Sequence, residues 1–415
     1  MNQLVSVTPT TSNEILNAVI AGGVQNPFPL YEQLRELGNG VHWSELLNGW
    51  FLTRAEDSRA MLSDPESFSN DMLEVTGAGI HNPDDLRQRR FADIQSKFLF
   101  FVDPPRHPVI RSIFRSAFTP GAIAGWRPVV ERITDELLAG FSAGDEVDFM
   151  EELAGIVPVE VIATVLGVPE EDHVRFRGWS EALVRANNPA VQGPDRDEAI
   201  ATSMELVDYM SAIAEQRKAD PQDDLISTVV NTPTRDGDPL DTTEALAQLV
   251  VLLAAGNETT SNLLGNGITI LLDYPQVKRR LIADPSLMKS AVEEMLRYDP
   301  PFHLDFRKAV KDTAISGTAI AAGTPVYSLL PAANRDPRAF DNPLDFDIER
   351  KNNRHLAFSH GIHFCVGAPL ARLEGEVVFA KLLQKFPDID RGTAEPVRRT
   401  ANIISRGWEK RPVRL

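Results

Sequence analysis

Chemistry in this 415-residue chain gathers around its single cysteine, Cys365, in the stretch FSHGIHFCVG at 358–367. A lone cysteine forms no internal disulfide, and the commonest role of a free cysteine is that of a small buried apolar residue. Its neighbours argue for more. Gly361 and Gly367 flank it and permit backbone turns that a Cβ forbids. Such turns aim N–H groups at the sulfur, which favours the thiolate. Residues 368–383 carry apolar positions at helical spacing. The sulfur therefore stands at a helix N-terminus, where the dipole favours negative charge. The expected chemistry is a cysteine kept anionic and presented to a partner.

Three partners are open to such a cysteine. A structural zinc site needs about four Cys or His ligands at tight spacing, and His360 and His363 with one sulfur fall short. A nucleophilic cysteine needs a base and an oxyanion hole. His363 is a candidate base, but Phe358 and the two glycines have no part in that account. The remaining role is an axial thiolate on haem iron. The pattern Phe-x-x-Gly-x-His-x-Cys-x-Gly resembles the haem-binding loop of cytochrome P450 monooxygenases. All five fixed positions match: Phe358, Gly361, His363, Cys365 and Gly367. Ser359 departs from the pattern, since many members carry glycine there.

Other stretches extend the resemblance. In DPPRHPVIRSIFRSAFTP at 103–120, His107 and Arg111 are four apart and share one helical face. Spacing alone reads as a solvated basic face. The resemblance implies that both hold a haem propionate, and Arg307 matches the second propionate arginine, with Asp305 beside it. Arg–carboxylate pairing is charge-assisted and suits that task. Asp241 and Glu244 are spaced as a capping box ahead of a long helix expected to reach residue 273. Inside it lies AAGNETT at 254–260. Gly256 costs the helix about 1 kcal/mol against alanine, and burying Glu258 and Thr259 is costly without partners. The resemblance makes this the helix over the haem. Ala255 and Gly256 leave room there, and the acid–alcohol pair Glu258 and Thr259 delivers protons to oxygen.

Glu294 and Arg297 are spaced for an ordinary surface ion pair. The resemblance implies instead a buried pair supporting the haem loop, with Arg350 as third partner. Phe302, His303 and Leu304 match pocket-lining positions, as does the turn at 403–404. A lone histidine such as His303 is more often a satisfied core side chain.

The elements that position these residues are mostly helical in pattern. Helices are expected over 27–37, 55–62, 126–141, 148–166, 170–186 and 195–218, the last two forming a lid around Asn187, Asn188 and Pro189. Residues 41–53 read as a hairpin turned at Asn48-Gly49. The first ~20 residues read as loosely ordered, and 68–101 as an irregular loop over the substrate. Arg87, Arg89 and Arg90 in that loop read as a solvated charge run. No linker or repeat divides the chain, so residues 1–415 are expected to form a single cytochrome P450 haem domain. The implied fold is mainly α with a smaller β-rich lobe, in a triangular prism.

Apolar residues make up 43% and charged residues 24%, as in ordinary globular proteins, and the net charge is −17. That charge argues against nucleic acid and against anionic membranes. The N-terminus carries no apolar core of signal-peptide length. No apolar run approaches the ~18 residues of a span, and a cytoplasmic protein is expected. The resemblance implies haem b (iron protoporphyrin IX), a mid-sized apolar organic substrate, and electrons from NAD(P)H through a reductase and an acidic iron–sulfur ferredoxin. Arg106, Arg111, Arg115, Lys351, Arg354 and Arg372 are the candidate docking charges for it. Alternatives are a peroxide-driven peroxygenase, against which the Glu258–Thr259 pair counts, and a haem-binding protein without catalysis.

Overall fold

The computed structural model describes residues 11–72, 84–186, 191–234, 237–400 and 403–415. Its axis is the helix Thr242–Asp273, 32 residues long and about 48 Å from end to end at 1.5 Å per residue. Asp241 caps its start by accepting from Glu244 N at 2.8 Å. Only half of the expected capping box forms, because the Glu244 carboxylate is taken by Arg106 instead. Leu246, Leu249, Val250, Leu253, Leu263, Leu264, Ile268 and Leu271 sink into the largest apolar core. Helices Val157–Leu166, Pro194–Ala219, Met288–Tyr298 and Ala368–Lys385 pack around it.

The smaller β-rich region centres on a five-stranded sheet ordered Val41–Ser44, Gly49–Leu52, Pro325–Leu329, Leu304–Ala309 and Phe68–Ser69. The first two strands form the expected hairpin, with Asn48 at φ 46° in its turn. Gly49 is required there: a Cβ would lie 2.7 Å from the Pro325 carbonyl oxygen across the parallel pairing. A second small sheet joins Val397–Arg399 to Gly407–Lys410.

Several expectations need correction. The N-terminal segment is not loose from residue 11 onward. Helix Ser12–Ile20 is closed by a reciprocal Thr11–Glu14 capping box and buries Ile15, Leu16 and Val19. The stretch 68–101 is not irregular throughout. Helix Leu86–Ser96 starts at Asp85, which accepts from Arg87 N at 2.8 Å, and buries Phe91 and Ile94. Its polar sequence hid the periodicity. Residues 148–166 do not make one helix. A strand Glu146–Asp148 pairs with Pro412–Arg414, and a single wide turn at Met150–Ala154 precedes the helix Val157–Leu166. The lid helices form as His173–Ala186 and Pro194–Ala219; Asn187, Asn188 and Pro189 lie outside the described residues. Among the described residues no helix is long and apolar enough to cross a membrane.

Candidate active site

The cysteine loop is built by local turns. Leu356 N donates to Asn334 Oδ1 at 2.7 Å, which anchors its start. Ser359 N donates to the Leu356 carbonyl at 2.8 Å and Cys365 N to the Phe358 carbonyl at 2.9 Å. Gly361 adopts φ 73°, and a Cβ there would collide with the Leu62 carbonyl. The other glycine differs from expectation. Gly367 has an ordinary φ of −77° and serves as the cap of helix Ala368–Lys385. Ser359, where the resemblance expected glycine, sits at φ 64°. Arg372 stacks 4.5 Å over the Phe358 ring and pairs with Glu293 at 2.5 Å, clamping the loop from behind.

The N–H groups of Gly367 and Ala368 do reach the Cys365 sulfur, and Arg111 and Arg372 stand near it. Even so, burial pushes the thiol up, and these four aids only partly offset it. Cys365 as a whole residue is nevertheless exposed. A coordinating metal deprotonates a thiol outright, so the loop supplies position and the metal would supply the charge.

Beside the cysteine lies a set of converging donors. The rings of His107 and His363 are 4.2 Å apart, centroid to centroid. Burial, with Arg111 and Arg307 nearby, holds His107 down at about 4; burial, then His107 and the same arginines, holds His363 down at about 2. Arg307 Nη1 donates to Asp305 Oδ1 at 2.6 Å and to the Phe306 carbonyl at 2.7 Å. Arg307 Nη2 and His107 Nε2 are buried and have no acceptor among the described residues. Each such orphan costs about 1–3 kcal/mol, which acidic groups of a ligand would relieve. This donor set and the exposed Cys365 fit an iron porphyrin bearing carboxylates. Arg111 is placed differently: its Nη2 donates to the Phe364 carbonyl at 2.5 Å, on the cysteine loop itself.

On the long helix, Ala255 is exposed between buried turns, and a Cβ at Gly256 would meet nothing within 4 Å. One face of the helix thus borders open space at this point. Thr259 Oγ1 donates to the Ala255 carbonyl at 2.7 Å, a common back-bond for helical threonine. Glu258 has the partners its burial demands, and sequence reading missed both. Its Oε1 accepts from Arg399 Nη1 at 2.9 Å and Ser405 Oγ at 2.7 Å. Asn257 Nδ2 donates to Ser180 Oγ at 2.7 Å and so ties this turn to the lid helix His173–Ala186.

The supporting pair is buried as expected. Glu294 and Arg297 join bidentately at 2.7 and 2.8 Å with both side chains fully buried. Arg350 Nε reaches Glu294 at 3.1 Å, and Arg297 also donates to the carbonyls of Asn334, Pro343 and Asp345. His303 is buried at 2% exposed, with its Nδ1 3.1 Å from the Tyr31 hydroxyl. Leu304 is buried likewise. Arg87, Arg89 and Arg90 are exposed, and Arg90 pairs with Asp208. Among the docking charges, Arg106 is committed to Glu244 and Arg372 to Glu293, which removes them from the candidate face. Arg115, Lys351 and Arg354 are exposed.

Comparison with known proteins agrees with this geometry. The family model for cytochrome P450 matches residues 58–399. Cytochrome P450 107B1 of Saccharopolyspora erythraea is 36% identical, covering 89% of each chain. The vitamin D(3) 25-hydroxylase of Pseudonocardia autotrophica is 38% identical, covering 94% of each. The solved structure of P450BioI in complex with hexadec-9Z-enoic acid ligated acyl carrier protein superposes with a TM-score of 0.85 at 32% identity, covering 94% of this chain and 98% of that one. With a family model spanning most of its length and relatives matched nearly end to end, the chain belongs to the cytochrome P450 family and is a haem-dependent monooxygenase of that family.

Proposed function

We propose that the whole chain, residues 1–415, works in the cytoplasm as one haem domain that inserts an oxygen atom from O2 into a C–H or C=C bond of a mid-sized apolar molecule. Haem b would sit with Cys365 as iron ligand. His107, His363 and Arg307 would take its carboxylates, with Arg111 steadying the loop through Phe364. Phe358 and Gly367 would shape the loop around the sulfur, and Ala255 and Gly256 would leave space on the opposite face. When bound, the haem supplies dioxygen activation, which a thiolate ligand favours by donating electron density.

The chain's own residues supply position and protons. Thr259, one turn on from Ala255 at the open space, and Glu258 next to it in the chain are the proton-handling pair. The observation that carries the reading is the pair of buried donor atoms, His107 Nε2 and Arg307 Nη2, without an acceptor among the described residues, together with an exposed Cys365. Two of the relatives' names mention vitamin D(3) and hexadec-9Z-enoic acid, both long and apolar, which supports that substrate class. Electrons would come from NAD(P)H through a reductase and an acidic iron–sulfur ferredoxin, docking by Arg115, Lys351 and Arg354.

Reconstitution with ferredoxin, reductase and NADH under isotopically heavy O2 tests the reading. One heavy oxygen atom should enter the product of a substrate that shifts the haem absorption from low to high spin. Unlabelled product, or product formed only when hydrogen peroxide is added, would favour the peroxygenase reading.

A further inference from the structure

Glu258 is tied to a part of the chain that the proton-handling reading does not explain. Both of its partners, Arg399 and Ser405, come from the C-terminal segment, 141 and 147 residues away. The same two residues line a small cavity of about 30 Å³, whose other walls include Val19, Tyr31, His303 and Ile403. A water needs roughly 10–15 Å³ of such space and two to four polar partners. The volume suffices for one or two waters. The partners are there too: the Ser405 hydroxyl, the Arg399 guanidinium and the Tyr31 hydroxyl, which is itself 3.1 Å from His303 Nδ1. His303 Nε2, 3.9 Å from Asp299 Oδ1, has no hydrogen bond among the described residues. The cavity is walled by the N-terminal segment and the C-terminal turn, not by the lid helices.

We propose that this cavity is the water site from which Glu258 is re-protonated, with Ser405 as the relay and Arg399 as a positioning residue. The inference rests on the reading of Glu258 and Thr259 as the proton-handling pair. Inserting one atom of O2 into a substrate consumes protons as the other atom leaves as water, so the acid must be recharged within each turnover. The recharging step moves one proton and no electrons. Ser405 Oγ passes its proton along the 2.7 Å hydrogen bond to Glu258 Oε1. A cavity water returns a proton to Ser405 Oγ, and bulk solvent restores the water. Arg399 keeps the carboxylate within reach of Ser405 by its 2.9 Å contact. Were the Glu258 contacts only a tie between helix and strand, the hydroxyl and the water would be dispensable.

The test compares Ser405→Ala, Ser405→Thr and Thr259→Ala in the haem-loaded protein, with a crystal structure of the wild type. The structure should hold an ordered water within hydrogen-bond distance of Ser405 Oγ. Ser405→Ala should lower product per NADH about tenfold, less than the ~10²-fold of a directly acting acid, because water partly replaces a hydroxyl. The missing oxygen should appear as hydrogen peroxide, and Ser405→Thr should restore product. A dry cavity overturns the proposal. So does full coupling in Ser405→Ala, or lowered thermal stability there without peroxide release. If Thr259→Ala leaks peroxide while Ser405→Ala does not, the relay fails and the function stands. If Thr259→Ala also couples fully, the underlying proton-handling reading fails.

Discussion

The imidazole rings of His107 and His363 lie 4.2 Å apart, centroid to centroid, joining the helix Arg106–Ala117 to the cysteine loop through one buried and one half-buried histidine, both held well below the usual histidine pKa. Neither ring faces a carboxylate of the protein close enough for an ion pair among the described residues. With Arg307 they form a donor set held ready for acidic groups from outside the chain.

That arrangement makes haem retention the property to watch. A hydrogen bond to a charged group contributes about 1.5–3 kcal/mol. Arg307→Ala and His107→Ala should each speed haem loss to excess apomyoglobin about tenfold or more, with the double variant losing it faster still. Unchanged retention in the double variant would remove both residues from the haem contact.

The clamp behind the loop is acid-sensitive. Burial alone would raise the Glu293 carboxyl, but hydrogen bonds from His355 and Arg372 hold it down to about 2. A depressed carboxyl stabilises the fold above its unfolded pKa of about 4.3 and loses that contribution as pH falls toward about 2. The contribution is on the order of 3 kcal/mol at neutral pH. Glu293→Gln should therefore be less stable than wild type in urea unfolding at neutral pH. The gap should close as pH drops through that window. A gap independent of pH would contradict the ion-pair account.

Ser359 occupies a left-handed backbone conformation, φ 64°, next to Gly361 in the same conformation. Such a conformation costs a residue with a Cβ about 1–2 kcal/mol, and the Ser359 hydroxyl is buried without a partner among the described residues. Glycine loses part of that gain through its freer unfolded state. Ser359→Gly should thus raise stability by about 0.5–1 kcal/mol and leave the haem spectrum as it is. A destabilised variant would mean that the hydroxyl has a role.

Docking of the electron donor is an electrostatic claim. Arg115, Lys351 and Arg354 are exposed on a chain whose net charge is −17. Exposed basic residues steer an acidic partner, and salt weakens that steering as the Debye length shrinks from about 30 Å at 0.01 M to about 8 Å at 0.15 M. Arg115→Glu should slow reduction by the ferredoxin severalfold at low salt without changing substrate binding. A rate indifferent to both salt and charge reversal would place the contact elsewhere.

Legibility in the sequence followed the range of the interactions. The cysteine loop could be read because its constraints are local: Gly361 must take a positive φ, and the turns around it span a few residues. The long helix was legible for the same reason, with Asp241 at its start and an unbroken apolar run behind. Contacts between distant residues were not. Glu244 looked like a capping partner, yet it faces Arg106, 138 residues away. Glu258 draws its partners from a strand and a turn at the far end of the chain, where nothing in the local pattern marks them. Helix Leu86–Ser96 escaped because its exposed face is nearly all polar and only a few apolar positions carry the period.

The central claim is that Cys365 binds haem iron through its sulfur, and the reduced, carbon-monoxide-bound protein tests it most directly. That protein should show the long-wavelength band from which the family takes its name. Cys365→His should retain some haem through the His107, His363 and Arg307 contacts yet lose that band. A wild-type protein without the band, or a Cys365→His protein that keeps it, would contradict the assignment.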